Sequence, residues 1–304
     1  MLSNDVTRYV AVYQALGLNF SEQSRTLHLY ARYAEAYDDR FTLVSRIRDW
    51  CSTASSPIRA RSCYDTARRF CVFMNAEDSR HEVPPAGAFG RGKRPRPAPH
   101  LLELHQIRAI MNAALDLPPR GSIRPHTYYH LFGLLAATGL RISEALGLQR
   151  NDFTEDGLVV RCGKFGKSRL LPIQASTRQA LNDYIAIRTR LGCDGDDLFV
   201  VTTGRAPHKV TTHVIFVKLA RQLGLRGPDR TRGPRLHDLR HTFAVRSLEA
   251  CAHDRQAVAH HIAALCTYLG HADVSNTYWY LEATPVLLRD IAAASERLFK
   301  EDAA

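Results

Sequence analysis

Residues 137–148 read Ala-Thr-Gly-Leu-Arg-Ile-Ser-Glu-Ala-Leu-Gly-Leu, and the reading of the chain's larger part turns on them. Gly139 ends one helix, Arg141 opens the next turn, and Glu144, three positions on, shares its face. Taken alone this is a local ion pair worth little at a surface. Three further pieces lie downstream. Lys164 sits between GLVVRCG (157–163) and SRLLPI (168–173), two short apolar runs that signal a β-hairpin, with Lys167 and Arg169 crowding the same tip. Leu-His-Asp-Leu-Arg-His-Thr-Phe-Ala at 236–244 sets His237 and Arg240 three apart on a predicted helix. Tyr-Leu-Gly-His-Ala-Asp-Val-Ser-Asn-Thr-Tyr-Trp-Tyr-Leu at 268–281 places His271 after a glycine and Tyr280 nine residues later. His237 and His241 also have the H-x-x-x-H spacing of a metal pair. Arg240 between them would repel a cation, however, and the glutamate of H-E-x-x-H is absent, so no metal site is read here.

Outward from these pieces the chain divides in two. Residues 83–100, VPPAGAFGRGKRPRPAPH, hold five prolines, three glycines, four Lys/Arg and no acid, and cannot build a helix or a central strand. They read as a linker. Its Arg91, Lys93, Arg94 and Arg96 suit a hinge lying along phosphates, although a merely solvated linker explains them too. Before it, residues 5–17, 21–37, 42–51 and 57–75 carry apolar side chains at helical spacing, which predicts a small all-helical domain over 1–82. Arg59 and Arg68 on its last helix are candidates for phosphate contact, with a solvated surface as the competing reading. After the linker, helices are expected at 101–115, 124–138, 176–191, 211–223, 237–250, 255–268, near 273–280 and at 285–299, interrupted by the hairpin. The expected fold is therefore mainly α with a small β-sheet, in two domains.

Composition narrows the function classes. With 304 residues, 41 Lys plus Arg against 30 Asp plus Glu leave a net charge of +11, so a polyanion is a plausible partner. That excess is concentrated: residues 205–240 contain nine Lys/Arg against Asp229 and Asp238, and Lys209, Arg232 and Arg235 join the candidates for tracking a DNA backbone. Seven cysteines are odd in number and lack any C-x-x-C, which signals neither a disulfide framework nor a zinc knuckle. No run of 18 apolar residues and no secretory leader pattern is visible, so the expected compartment is the cytoplasm, without a membrane role.

Taken together, the four pieces resemble the catalytic domain of the tyrosine recombinases, the phage-integrase-like family of site-specific DNA recombinases, in motif order and rough spacing from about residue 101 to the end. The Tyr-Trp-Tyr-Leu ending most resembles integrases of transposons and other mobile elements. The resemblance implies a two-domain clamp, with an N-terminal helical core-binding (SAM-like) domain and a C-terminal α+β catalytic domain at 101–304. It implies the catalytic set Arg141, Lys164, His237, Arg240, His271 and Tyr280, with Glu144 in support. In that set Tyr280 is the nucleophile, favoured over Tyr278 by family spacing. Arg141 and Arg240 clamp the phosphate, His237 assists proton removal from Tyr280, His271 holds the transition state, and Lys164 protonates the departing 5′ oxygen. It further implies cutting and rejoining through a 3′-phosphotyrosine without a metal or other cofactor. Duplex DNA is the implied partner, bound by a homotetramer on two DNA sites or a mixed assembly with related recombinases, in some settings with a DNA-bending factor and in association with the nucleoid. One departure stands out: 31 positions separate Arg240 from His271, longer than in better-known members, with the extra material placed in 251–265.

The chemistry fits the residue types. A phenol of pKa about 10 is a modest nucleophile but a good leaving group, so a phosphotyrosine remains open to attack by the next strand's hydroxyl. Guanidinium stays charged and presents a planar fork to two phosphate oxygens. Two other functions compete: a noncatalytic DNA-binding subunit working beside related recombinases, and a type IB topoisomerase relaxing supercoils as a monomer.

Overall fold

Ser56 and Pro57 open a long helix of the first unit. The Ser56 hydroxyl accepts from the Arg59 amide at 3.3 Å, and Pro57 occupies the first turn, where no amide hydrogen is needed. In the computed structural model, four helices make up this unit: α1 (Leu2–Ala15), α2 (Ser21–Glu35), α3 (Val44–Ser52) and α4 (Pro57–Glu77). Their apolar faces meet in a core of Leu2, Val6, Tyr9, Leu27, Tyr30, Ile47, Tyr64 and Phe70. Bridges fasten the periphery, among them Arg8 to Glu77 and Arg46 to Asp39. The structure describes residues 1–90, 99–161, 168–228, 231–250, 255–271, 273, 275–278 and 280. Lys164, the linker cations Arg91, Lys93, Arg94 and Arg96, and the helix expected at 285–299 lie outside the described residues.

The chain forms two compact units, Met1–Arg96 and Pro97–Ala304. The first half of the stretch read as linker belongs to the surface of the first unit. Tyr64 Oη donates to the Pro85 carbonyl at 2.9 Å, Arg68 Nε donates to the Pro84 carbonyl at 3.0 Å, and the Phe89 ring packs 4.9 Å from that of Tyr64. Proline cannot donate, but its carbonyl accepts well, and α4 supplies the donors.

The second unit opens with α5 (Leu104–Ala114) and α6 (Ile123–Thr138). Gly139 ends α6 in the left-handed region at φ +62°, and α7 (Ile142–Leu146) follows at once. Three strands then form an antiparallel sheet in sequence order: β1 (Phe153–Thr154), β2 (Gly157–Val160) and β3 (Arg169–Leu171), with Val160 opposite Arg169. β1 is too short to be signalled by alternation. Five helices complete the described residues: α8 (Ala175–Arg190), α9 (Lys209–Gln222), α10 (Asp238–Glu249), α11 (Arg255–Leu269) and α12 (Ser275–Tyr278). The main core gathers Leu131, Phe132, Leu135, Leu158, Leu171, Tyr184, Phe199 and Phe216 from α6, the sheet, α8, the segment that follows it, and α9. A second cluster joins α10 and α11 through Val245, Leu248, Leu265 and Leu269, and it includes Tyr280. The chain is thus mainly helical with one small sheet, as the sequence patterns predict. Among the described residues no helix is long and apolar enough to cross a membrane.

Gly139 meets two constraints, the left-handed φ and a close neighbour. A Cβ there would lie 2.6 Å from the Phe243 ring. Gly121 shares the conformation at φ +76° but has open space around it. Gly121→Ala is therefore expected to cost about 1–2 kcal/mol from backbone strain alone, and Gly139→Ala about 1–3 kcal/mol more from overpacking. Urea denaturation of the two variants measures the difference, and equal losses would refute it.

Candidate active site

Glu144 is the centre of the site. Its carboxylate is buried, and α7 begins so that the Arg141 amide donates to Oε2 at 3.1 Å while the Arg141 guanidinium donates to Oε1 at 2.8 Å. From β3, Arg169 donates to both carboxylate oxygens at 3.2 and 3.0 Å. Burial alone would raise the Glu144 carboxyl, but the hydrogen bonds and charge of Arg169 and Arg141 outweigh it and hold the group below the ordinary carboxylate range.

Two guanidinium groups around one carboxylate leave an excess of positive charge, and Arg240 of α10 adds a third. The end of α11 absorbs it. Tyr268 O accepts from Arg169 at 2.9 Å, Leu269 O from Arg240 at 2.8 Å and from Arg141 at 3.3 Å, and Gly270 O from Arg141 at 2.9 Å. These are carbonyls that a helix leaves without intrahelical partners, at its negative end. Arg240 also donates to Gly139 O at 2.7 Å. Burial and the nearby Arg141 charge push the Arg240 guanidinium down to about 10, so it remains a cation at neutral pH. Gly270 takes φ +66°, and a Cβ there would lie 2.7 Å from Arg169 Nη1.

The histidines surround this cluster. His271 follows Gly270, with its amide held by Cys266 O at 3.0 Å and its Nδ1 2.7 Å from the Thr277 hydroxyl. Burial, then Arg240 and Arg141, push its ring down to about 3. His237 caps the start of α10, and its ring centroid lies 4.5 Å from that of His241 one turn on. Burial and then Arg240 push His237 down to about 4, though the residue as a whole is exposed and water screens part of that shift. His241 is 9% exposed, and burial with His237 pushes it down to about 4. Its Nδ1 lies 3.1 Å from the Tyr280 hydroxyl. The Tyr280 ring stacks at 6.2 Å from that of His271 and is 2% exposed.

Five of the residues read from sequence therefore come together with Glu144: Arg141, His237, Arg240, His271 and Tyr280. A cavity of about 630 Å³ opens beside them, lined by Arg141, Lys209, His213, His237 and Arg240. Lys209 is thus on the site side of α9. Arg235 is exposed and pairs with Asp238 at 3.2 Å, and Arg232 is exposed. In the other unit, Arg59 donates to Glu22 at 2.9 Å and to Thr26 at 3.4 Å. A second groove, of about 700 Å³, between α5, α6, α8 and α10 holds none of the residues just assembled. Three participants were not singled out by sequence. Arg169 reads as one more charge of the hairpin tip, Thr277 as an ordinary threonine, and His241 as half of a rejected metal pair. The one available signal was the i, i+4 spacing of His237 and His241, which puts both on the face of α10 that meets Tyr280.

Two outcomes follow from this geometry. Glu144→Gln keeps the shape but leaves Arg141 and Arg169 without their counter-charge, so thermal or urea unfolding should show a loss of about 3 kcal/mol. An unchanged midpoint would contradict the central role of Glu144. His241 and His271 have folded pKa values below that of a free imidazole, about 6.5. Between pH 6.5 and about 4 the unfolded chain consequently binds more protons. Stability is therefore intact above pH 6.5 and falls as pH is lowered, by at most about 1.4 kcal/mol per pH unit for each histidine. Urea midpoints measured from pH 7 to 4.5 should show a shallower decline in His241→Gln than in the unaltered protein.

Comparison with known proteins identifies the family. The profile of the phage integrase family matches residues 100–285. A Sinorhizobium fredii protein named as an integrase/recombinase, y4rB, is 36% identical over 97% of this chain and 97% of its own length. The tyrosine recombinase XerD of Bradyrhizobium diazoefficiens is 29% identical over 70% of this chain and 69% of its own. Among solved structures, the Tn1549 transposon integrase in complex with transposon right end DNA superposes with a TM-score of 0.65 at 18% identity, covering 98% of this chain and 99% of that one. A lambda integrase dimer bound to a core site gives 0.63 at 16% identity, covering 91% and 94%. At those identities the structural matches establish the fold alone, and the family and sequence matches establish the membership: this chain belongs to the phage integrase family, the tyrosine recombinases that carry out site-specific DNA recombination.

Proposed function

We propose that this protein cuts and rejoins duplex DNA through a covalent 3′-phosphotyrosine at Tyr280, to integrate, excise or transpose a mobile element. One observation carries the reading: Arg141 and Arg240, which share Leu269 O as an acceptor, flank one cavity together with His237, and a tyrosine hydroxyl lies one helical turn away on His241. Two fixed guanidinium forks suit the two nonbridging oxygens of a phosphodiester.

In the first step Tyr280 Oη bonds to the scissile phosphorus while the bond to the 5′ oxygen breaks. The phenol leaves its hydrogen bond with His241 and passes its proton to His237, and the 5′ oxygen leaves with a proton from Lys164. In the second step a 5′ hydroxyl of the other duplex gives its proton to the neutral Lys164 and attacks the phosphotyrosine, the P–O bond to Tyr280 breaks, and the phenol regains its proton from His237. The phosphodiester energy is conserved, so no nucleotide cofactor is consumed. His271 donates a hydrogen bond to the phosphate, and Glu144 balances the cations.

The same reading assigns residues 1–82 as a core-binding domain that closes a clamp on duplex DNA with the catalytic domain at 101–304. The basic part of 83–100, with Arg91, Lys93, Arg94 and Arg96, tracks phosphates, and Arg59, Arg68, Lys209, Arg232 and Arg235 supply further backbone contacts. Four copies on two DNA sites, alone or mixed with related recombinases, complete the assembly on nucleoid DNA in the cytoplasm. The DNA in the Tn1549 complex and a lambda integrase tetramer bound to a Holliday junction support this by similarity.

Nicked duplexes carrying the ends of the native element provide the test. The unaltered protein is expected to form a protein–DNA adduct that peptide mass spectrometry maps to Tyr280. Tyr280→Phe should bind the same DNA and form none. Arg240→Ala should slow cleavage by about 10²-fold to 10³-fold with a much smaller change in Kd. An adduct at Tyr278 would move the nucleophile, and tight salt-sensitive binding without any adduct would favour an accessory DNA-binding role.

A further inference from the structure

The side chain of Thr277 is fully buried, with its hydroxyl 2.7 Å from His271 Nδ1, while its carbonyl accepts the Tyr280 amide at 2.9 Å. One residue therefore touches both the imidazole and the tyrosine segment. We propose that Thr277 is a positioning residue: its hydroxyl donates to His271 Nδ1 and fixes the ring as the Nε2–H tautomer, so that a donor rather than a lone pair is presented to the scissile phosphate. This rests on the recombinase reading for its phosphate, and on the geometry alone for its tautomer.

The electrostatics make the tautomer matter. Burial, Arg240 and Arg141 keep the ring neutral at working pH, so it has one donor and one acceptor nitrogen. If Nδ1 carried the hydrogen, Nε2 would offer a lone pair to an anionic oxygen and repel it. The Thr277 hydroxyl would also need another acceptor in a fully buried position. Among the described residues it is paired with His271 alone. Donation from Thr277 satisfies both groups at once. The ring has little freedom to evade this choice. Gly270 is held in the left-handed region, the His271 amide is bonded to Cys266 O, and the His271 carbonyl accepts from Cys266 Sγ at 3.7 Å. The main chain on either side of the imidazole is thus fixed before the hydroxyl arrives.

The tautomer is read directly by long-range proton–nitrogen correlation on the full-length protein labelled with ¹⁵N-histidine, the His271 signals being identified by their loss in His271→Gln. The unaltered protein and Thr277→Ser should show the Nε2–H form. Thr277→Val, which keeps the shape and removes the hydroxyl, should show a mixture or the Nδ1–H form. An Nδ1–H ring in the unaltered protein, or an unchanged ring in Thr277→Val, would overturn the proposal. Single-turnover cleavage of a nicked duplex gives the functional readout. Thr277→Val should lower the rate by about 10-fold to 100-fold with Kd for DNA unchanged, and Thr277→Ser should restore it. Full activity in Thr277→Val would refute the role. If no duplex is ever cleaved, the recombinase reading fails while the nitrogen spectrum still decides the tautomer.

Discussion

Three guanidinium groups gathered at a centre that holds a single carboxylate are the constraint on which the rest of this unit depends. Like charges at such spacing repel strongly wherever water is excluded, and Glu144 can neutralise only one of them. The remainder is borne by dipoles: the carbonyls of Tyr268, Leu269 and Gly270 at the end of α11, and that of Gly139 at the end of α6. Both helix ends terminate in a left-handed glycine whose carbonyl faces an arginine of another segment. Gly139 serves Arg240 and Gly270 serves Arg141. An L residue at either position would strain the turn and push against Phe243 or Arg169. The architecture can thus be understood as the means of bringing two helix C-termini to one cationic centre.

That centre sets the state of everything near it. Positive charge and burial together keep His271 and His241 neutral, which makes them directional hydrogen-bonding groups rather than additional cations. A phosphate entering the cavity would supply the missing negative charge. On the proposed reading the site would thus be preorganised for an anion, with the cost of assembling its cations met during folding instead of during the reaction.

How much of this was legible in sequence follows from the range of each interaction. Arg141 and Glu144 are three positions apart, and His237 and Arg240 likewise, so local spacing reveals them. The helices were legible because their apolar stripes recur at helical spacing, and the hairpin because β-branched runs flank Lys164. Arg169 was not, since its meaning lies in contacts with Glu144 and Tyr268, 25 and 99 positions away. Thr277 was hidden for a different reason: a threonine near a turn has many uses, and only the 2.7 Å contact with His271 selects one. Residues 83–90 read as free linker because proline and glycine announce irregular backbone, whereas the docking of that backbone depends on Tyr64 and Arg68 on another element.

The placement of Tyr280 bears on how the site would be switched on. Its ring belongs to the apolar cluster of α10 and α11, is 2% exposed, and does not line the cavity beside Arg141, His237 and Arg240. For its hydroxyl to meet a phosphate held there, the ring must leave that cluster and exchange the His241 hydrogen bond for the phosphorus. Burial of an aromatic ring together with one hydrogen bond is worth about 2–4 kcal/mol. On the proposed reading, this energy would keep the nucleophile stored in the absence of DNA. On that reading, binding energy from phosphate contacts elsewhere on the protein would offset it once the duplex is engaged, tying exposure of the tyrosine to occupancy of the cationic centre. Thr277 holds His271 through its side chain and Tyr280 through its carbonyl, so a single residue with no exposed surface touches both. If Tyr280 is the nucleophile and His271 binds its target, as proposed, the two are joined through one residue of the same short helix rather than placed independently.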